Sequence, residues 1–303
     1  MTLRTILYIG LAIVAVILIV VLTRAFPRHR ASLPNRLDAA IAVAIGFVTN
    51  FFDTLGIGSF ATTTSLFKFL RFVPDERIPG TLNVGHALPT IVEAAIFIVI
   101  VAVEPPTLLL LIFGAIVGAW LGAGLVARLP RRYVQIGMGS ALLAAAALFI
   151  LTNLKGSHFG LTGNALGLEG SRLWIGMAVS FCLGALMTIG IGLYAPCMIM
   201  VSLLGMNPIA AFPIMMGSCA FLMPVASLRF IKFDAFSMRA ALGLTLGGIP
   251  GVLIAAYIVK SLPLVTVRWL VVVVVLYAAT VMLHSAARRG ANSTSDEELV
   301  TVP

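Results

Sequence analysis

Charge is what this sequence lacks most. Only 10% of its 303 residues are Asp, Glu, Lys or Arg, while 60% are hydrophobic and the mean hydropathy is +1.10. A soluble domain carries roughly 25% charged residues, so a soluble fold is excluded and the chain reads as an integral membrane protein. Acids are scarcer than bases, 11 against 20. The bases lie between apolar runs instead of on one face of a soluble domain, which argues against nucleic acid as a partner and fits the excess of Lys and Arg in cytoplasmic loops. Cysteine is rare too. Cys182, Cys197 and Cys219 fall in apolar segments without metal-ligand or paired-loop spacing and read as small buried hydrophobes. No metal or cofactor is expected. Alternating barrel-strand patterns are absent, whereas several apolar runs reach the ~20 residues that cross a ~30 Å hydrocarbon core as helix. The fold class is therefore all-α.

Residues 6–22 form an apolar run with Arg4 before it and Arg24, Arg28, Arg30 and Arg36 after it. The run is long for a signal sequence and lacks a small-residue cleavage site, so it reads as a retained helix with its N-terminus outside. Residues 285–303 are polar and turn-rich and read as a disordered cytoplasmic tail.

Between these ends the chain repeats itself. One shift carries Gly56 and Gly58 onto Gly190 and Gly192, Pro74 onto Pro208, and Pro79 onto Pro213. A shift one residue shorter carries Gly114, Gly118 and Gly122 onto Gly247, Gly251 and Ala255, and Leu129-Pro130 onto Leu262-Pro263. A collinear series of this kind divides the chain into an N-terminal helix and basic loop (1–36), a first repeat (37–152), a linker (153–172), a second repeat (173–284) and the tail. Each repeat reads as five segments, of which the first two are short and joined at a Gly-x-Gly.

Charge bears on their orientation. With the first repeat starting inside, Lys68, Arg71 and Arg77 lie inside, Glu104 outside, and Arg128, Arg131 and Arg132 inside. The second repeat then starts outside, and Arg229, Lys232 and Arg239 fall inside; Lys155, Arg172, Lys260 and Arg268 run against the scheme. Inverted repeats are the favoured reading, and such repeats place a transport site near the midplane at discontinuous helices.

The Gly-x-Gly pairs mark those discontinuities. Glycine lets backbone leave helical geometry without a Cβ penalty, and the free amides opening the next segment favour an anion. Gly56, Gly58, Gly190 and Gly192 are therefore candidate substrate-binding residues, with the hydroxyls of Ser59, Thr62 and Thr63 just after the first break. The alternative is that these glycines serve close helix packing, the role assigned to Gly114, Gly118 and Gly122. Neither pair has the third glycine or the βαβ setting of a nucleotide site.

Asp53 and Glu93 are acids inside apolar segments, with His86 on the same segment as Glu93. Intramembrane ionisable groups are costly and mark substrate or proton pathways; all three are candidates for proton coupling. Asp53 reads equally as a carboxylate bound to free amides, and His86 as a satisfied interior histidine. Asn83, Thr90 and Ser218, near the openings of the third segments, offer neutral hydrogen-bonding groups for a second wall.

The stretches "DTLGIGSFATTTSLFKF" and "TIGIGLYAPCMIMVSLLGM", each followed by a polar-small segment, "IPGTLNVGHALPTIVEA" and "FPIMMGSCAFLMPVASL", resemble the sulfite exporter TauE/SafE family over roughly residues 38–284. The resemblance implies a membrane permease for small anions, often sulfur-containing ones such as sulfite, sulfoacetate or other sulfonates, in the cell membrane. The breaks carry fewer consecutive glycines than the family pattern, and Phe60 and Tyr194 at matching positions make the site bulkier; Tyr194 joins the substrate-binding candidates. An intramembrane protease is disfavoured, because the chain has Gly-x-Gly-Ser in place of Gly-x-Ser-Gly and one clear membrane aspartate, so no enzyme activity is expected. A receptor or scaffold would not need paired helix breaks, and an anion channel would differ in lacking a coupling ion.

Overall fold

The computed structural model describes residues 3–29, 36–126, 131–155, 163–187 and 192–300. Those residues form eleven α-helices: α1 (Leu3–His29), α2 (Arg36–Thr54), α3 (Ser59–Leu70), α4 (Ile78–Ile100), α5 (Pro105–Val126), α6 (Arg131–Lys155), α7 (Gly170–Met187), α8 (Tyr194–Leu203), α9 (Ala211–Lys232), α10 (Met238–Ser261) and α11 (Leu264–Val300). Seven of the helical stretches are long and apolar enough to cross a membrane. The protein is an all-α, multi-pass membrane protein. Arg30, Arg128, Leu129-Pro130 and part of the 153–172 linker lie outside the described residues. The polar stretch read as a tail continues as helix to Val300, beyond the apolar part of α11, which spans Val265–Ala287.

Breakers set the helix ends. Gly56 and Gly58 separate the 19-residue α2 from the 12-residue α3. Pro208 opens a 3₁₀ turn between the 10-residue α8 and α9. These two short helices are the counterparts of one another under the sequence shift.

Small residues decide which helices meet. Lipid offers no hydrophobic drive for helix association, so close backbone approach at Gly and Ala supplies the contact. A Cβ built on Gly247 would lie 1.9 Å from the Val43 carbonyl oxygen, and one on Gly251 would lie 2.4 Å from that of Phe47. This locks α10 onto α2. Likewise, a Cβ on Gly114 would lie 2.8 Å from the Met177 carbonyl oxygen, and one on Gly118 would lie 1.9 Å from that of Phe181. This locks α5 onto α7. The shift that carries Gly114 and Gly118 onto Gly247 and Gly251 pairs Val43 with Met177 and Phe47 with Phe181, to within one residue, so the same contact is built twice. Of the remaining large interfaces, α4 on α9 and α6 on α11 join counterparts to one another, and α10 also packs on α4. Phe97 of α4 stacks on Phe212 of α9 with ring centroids 5.2 Å apart.

The two ends of the bundle are distinct. At one, Arg239 pairs with Asp38 at 3.3 Å and donates to the Phe72 carbonyl, Arg77 lies 4.0 Å from Asp234, and the Ser237 amide donates to Thr81. At the other, Glu104 N donates to Leu166 O, Leu168 N to Thr107 Oγ1, and Asn207 N to Ala165 O. Helix α4, with 23 residues and thus about 34 Å long, runs from the first end to the second. Asp38, near the start of α2, is at the first end; α7 starts just after Leu168, at the second.

Candidate functional site

The site begins at the α2–α3 break. Ile57 N donates to Phe52 O at 3.1 Å and Gly56 N to Asp53 O at 2.7 Å, the paired bonds of a Schellman ending in which the residue at the Gly56 position has positive φ. Gly56 has φ 96° and Gly58 has φ 84° with ψ 123°, the latter in backbone space that is essentially glycine's. The chain thereby reverses out of α2 and restarts as α3. Asp53, in the last turn of α2, reaches across the turn, and its Oδ1 accepts the Ser59 N–H at 2.6 Å. The opening amide of α3 is thus held by a carboxylate of the same chain.

A second carboxylate stands beside the first. Glu93 of α4 is fully buried and Asp53 is 2% exposed. Thr54 Oγ1 lies 2.7 Å from Glu93 Oε1, and the Tyr194 hydroxyl, at the start of α8, lies 3.3 Å from Oε2. Tyr194 also lies close enough to Asp53 to influence it electrostatically. Among the described residues no Lys or Arg is bonded to either carboxylate. The Thr54 hydroxyl, with one proton, faces two acceptors, Glu93 Oε1 and the Asn50 carbonyl at 2.9 Å. A proton on Glu93 would complete that set.

A second polar chain runs alongside. Asn50 Nδ2 donates to Gly46 O at 2.7 Å, leaving Asn50 Oδ1 to accept from His86 Nδ1 at 3.0 Å. His86 Nε2 then accepts from Thr63 Oγ1 at 3.0 Å. This is the neutral ring with its proton on Nδ1. The close approach of α10 leaves Asn50 no room to move, because a Cβ on Gly248 would fall 2.5 Å from its Nδ2. His86 is thus a satisfied interior histidine tying α3 to α2 and α4.

The sequence candidates divide accordingly. Asp53, Gly56, Ser59, Glu93 and Tyr194 come together. Gly56 also meets α8 and α9, since a Cβ built on it would lie 2.3 Å from Met198 Cε and 3.8 Å from Met215 Cε. Gly58 and Gly192 both have open space where a Cβ would be, and Gly192 is exposed. Gly190 lies outside the described residues. The hydroxyls are less available than their residue types suggest: Thr62 donates to Ser59 O, Thr63 to His86, and Ser218 to Ile214 O. Asn83 is near the first end of the bundle, bonded to Pro79 O, ten residues along α4 from Glu93. Among buried hydroxyls in this region Thr90 alone is left without a partner.

Two contributors, Asn50 and Thr54, were not among the sequence candidates. With Gly46, Thr49 and Asp53 they form a buried stripe at three- and four-residue spacing on α2, the one signal that marks them. A sulfur-rich wall also escaped that reading: Cys219 Sγ lies 3.6 Å from Met187 Sδ, and the Met198 and Met215 methyl groups approach Gly56.

No curated protein and no solved structure matches the chain. The family model described as Sulfite exporter TauE/SafE matches residues 2–149, which hold α1 to α5, most of α6, and both carboxylates. Over residues 2–149, just under half of its length, the chain is similar to the sulfite exporter TauE/SafE family, a family of membrane transporters.

Proposed function

We propose that the protein is a proton-coupled secondary permease for a small anion, a sulfur oxyanion or organosulfonate such as sulfite or sulfoacetate. The observation that carries this reading is the meeting of the α2–α3 break, the start of α8 and the two buried carboxylates. Non-helical backbone in a membrane is tolerated only against protein or a water-filled path, and a packing role alone would not place two acids beside it. Residues 37–152 and 173–284 form two inverted transport repeats, held to one another through α4–α9 and α6–α11. The anion binds between their breaks, at Gly56, Gly58 and Ser59 on one side and Gly190, Gly192 and Tyr194 on the other. The sulfur-rich wall suits a polarisable anion or one with a short apolar tail. The end that carries Arg77, Arg229, Lys232 and Arg239 faces the cytoplasm of a cell membrane, with the N-terminus outside and the C-terminus inside.

The test is flux into liposomes containing the purified protein, challenged with sulfite, sulfoacetate, thiosulfate, sulfate and lactate, with and without a pH gradient. Saturable uptake of a sulfur anion that the gradient accelerates is the expected result. Uptake indifferent to the gradient would identify a channel, and no flux of any anion through folded protein would remove the permease reading.

A further inference from the structure

We infer that Asp53 is a built-in anion at the amino end of α3, and that a transported anion takes its place there only together with a proton. This rests on the permease reading above and adds the means by which the two loads are linked.

The groups facing Asp53 are few. From α4 come Glu93 and the His86 cluster, from α8 Tyr194, and from α9 Cys219. From α2 and α3 come only neutral groups, Asn50, Thr54, Ser59 and Thr63. His86 has both ring nitrogens engaged, with Asn50 and Thr63. Among the described residues an anion approaching the α3 amides therefore meets two acids and no cationic side chain, and it competes with Asp53 Oδ1 for the Ser59 N–H. Ionised acids would repel it in a medium where charge is weakly screened. A proton removes the obstacle. It passes from water to Asp53 Oδ1, the bond from Ser59 N–H to Oδ1 breaks, and an oxygen of the anion accepts that N–H. For a monovalent anion the net charge of the cluster does not change.

Two further observations concern the same helices. The Thr90 hydroxyl, 1% exposed, has no partner. It lies one turn after His86 and three residues before Glu93, two residues on the same helix face whose side chains both reach the α2–α3 region. At Gly58 there is open space at the mouth of α3. The same linkage makes each load favour the other, since coupling between two sites is reciprocal.

The experiment measures binding of sulfoacetate, an anion with no titration of its own in this range, to the detergent-solubilised full chain by calorimetry, in buffers of different ionisation enthalpy, across mildly acidic to mildly alkaline pH. On the alkaline side of the Asp53 titration wild type is expected to take up one proton per anion and to weaken about tenfold per pH unit, the slope of one linked proton, and on the acid side to lose both. Asp53→Asn is expected to bind with no proton uptake and no pH slope, and in liposomes to exchange anion without accumulating it along a pH gradient. Wild-type binding without proton uptake, or binding that requires sodium in place of protons, overturns the inference and leaves the permease reading standing. Loss of binding in a monodisperse Asp53→Asn protein also overturns it, by making Asp53 a structural cap. Absence of binding in wild type at every pH overturns the permease reading and this inference with it.

Discussion

The carboxylate of Asp53 reaches six residues forward to accept the backbone N–H of Ser59 at 2.6 Å, spanning a turn that contains both glycines of the first break. One side chain thus ends α2, caps α3 and stands next to Glu93. Removing it should separate the structural contribution from the electrostatic one. Asp53→Ala leaves the Ser59 amide bare, and loss of a helix cap costs roughly 0.5–2 kcal/mol. Asp53→Asn keeps an accepting oxygen. We expect a lowered apparent Tm in detergent for the alanine variant and a smaller change for asparagine; equal losses would mean that charge, not the hydrogen bond, holds the turn.

The glycines of the break differ in what a side chain would meet. At Gly56 a methyl group faces an unfavourable φ and the Met198 Cε; at Gly58 it faces only backbone strain. Strain of that kind costs of order 1–3 kcal/mol. Gly56→Ala should therefore be the more damaging, and adding Met198→Ala should recover part of its loss while doing nothing for Gly58→Ala. Thermal stability of the four proteins decides the matter, and a Gly58→Ala protein as stable as wild type would show that the turn can relax.

How much of this was legible in the sequence depends on range. The breaks at Gly56 and Gly58 and the packing series from Gly114 could be read directly, because a glycine's permissiveness is a local property. The pairing of Asp53 with Glu93 could not, since it arises only when α2 packs on α4 and α8 arrives from the other half. Residue type also overstated the hydroxyls. Thr62 and Ser218 spend their protons on carbonyls within their own helices, the usual habit of buried Ser and Thr, and Thr63 is committed to His86. Conversely Asn50 and Thr54 were passed over because neither is ionisable nor next to a glycine, although the buried stripe on α2 contains both.

The duplicated glycine contacts make a paired prediction. Gly118→Val and Gly251→Val each push a branched side chain into a carbonyl of the facing helix, Phe181 and Phe47 respectively. Overpacking in a tight interface costs typically 1–3 kcal/mol or more. Both variants should lose the monodisperse peak in size-exclusion chromatography, whereas Gly137→Val, where a side chain meets nothing within 4 Å, should keep it. Loss at only one of the two paired positions would show that the halves do not share this interface.

His86 and Asp53 are both buried, and the structure gives them different work. The imidazole donates to Asn50 and accepts from Thr63, so truncating it strands two buried partners, each at about 1–3 kcal/mol, and loosens α3 from α2 and α4. His86→Ala should therefore lower thermal stability more than Asp53→Asn does. A ring with both nitrogens engaged by fixed partners offers no free position for a passing proton. The protein that survives His86→Ala, or the milder His86→Gln, should keep the wild-type pH-gradient dependence of anion flux in liposomes. Should that dependence vanish in His86→Gln while Asp53→Asn retains it, the proton path would run through α4 and the Asn50 chain, and Asp53 would be left with the capping of α3 alone.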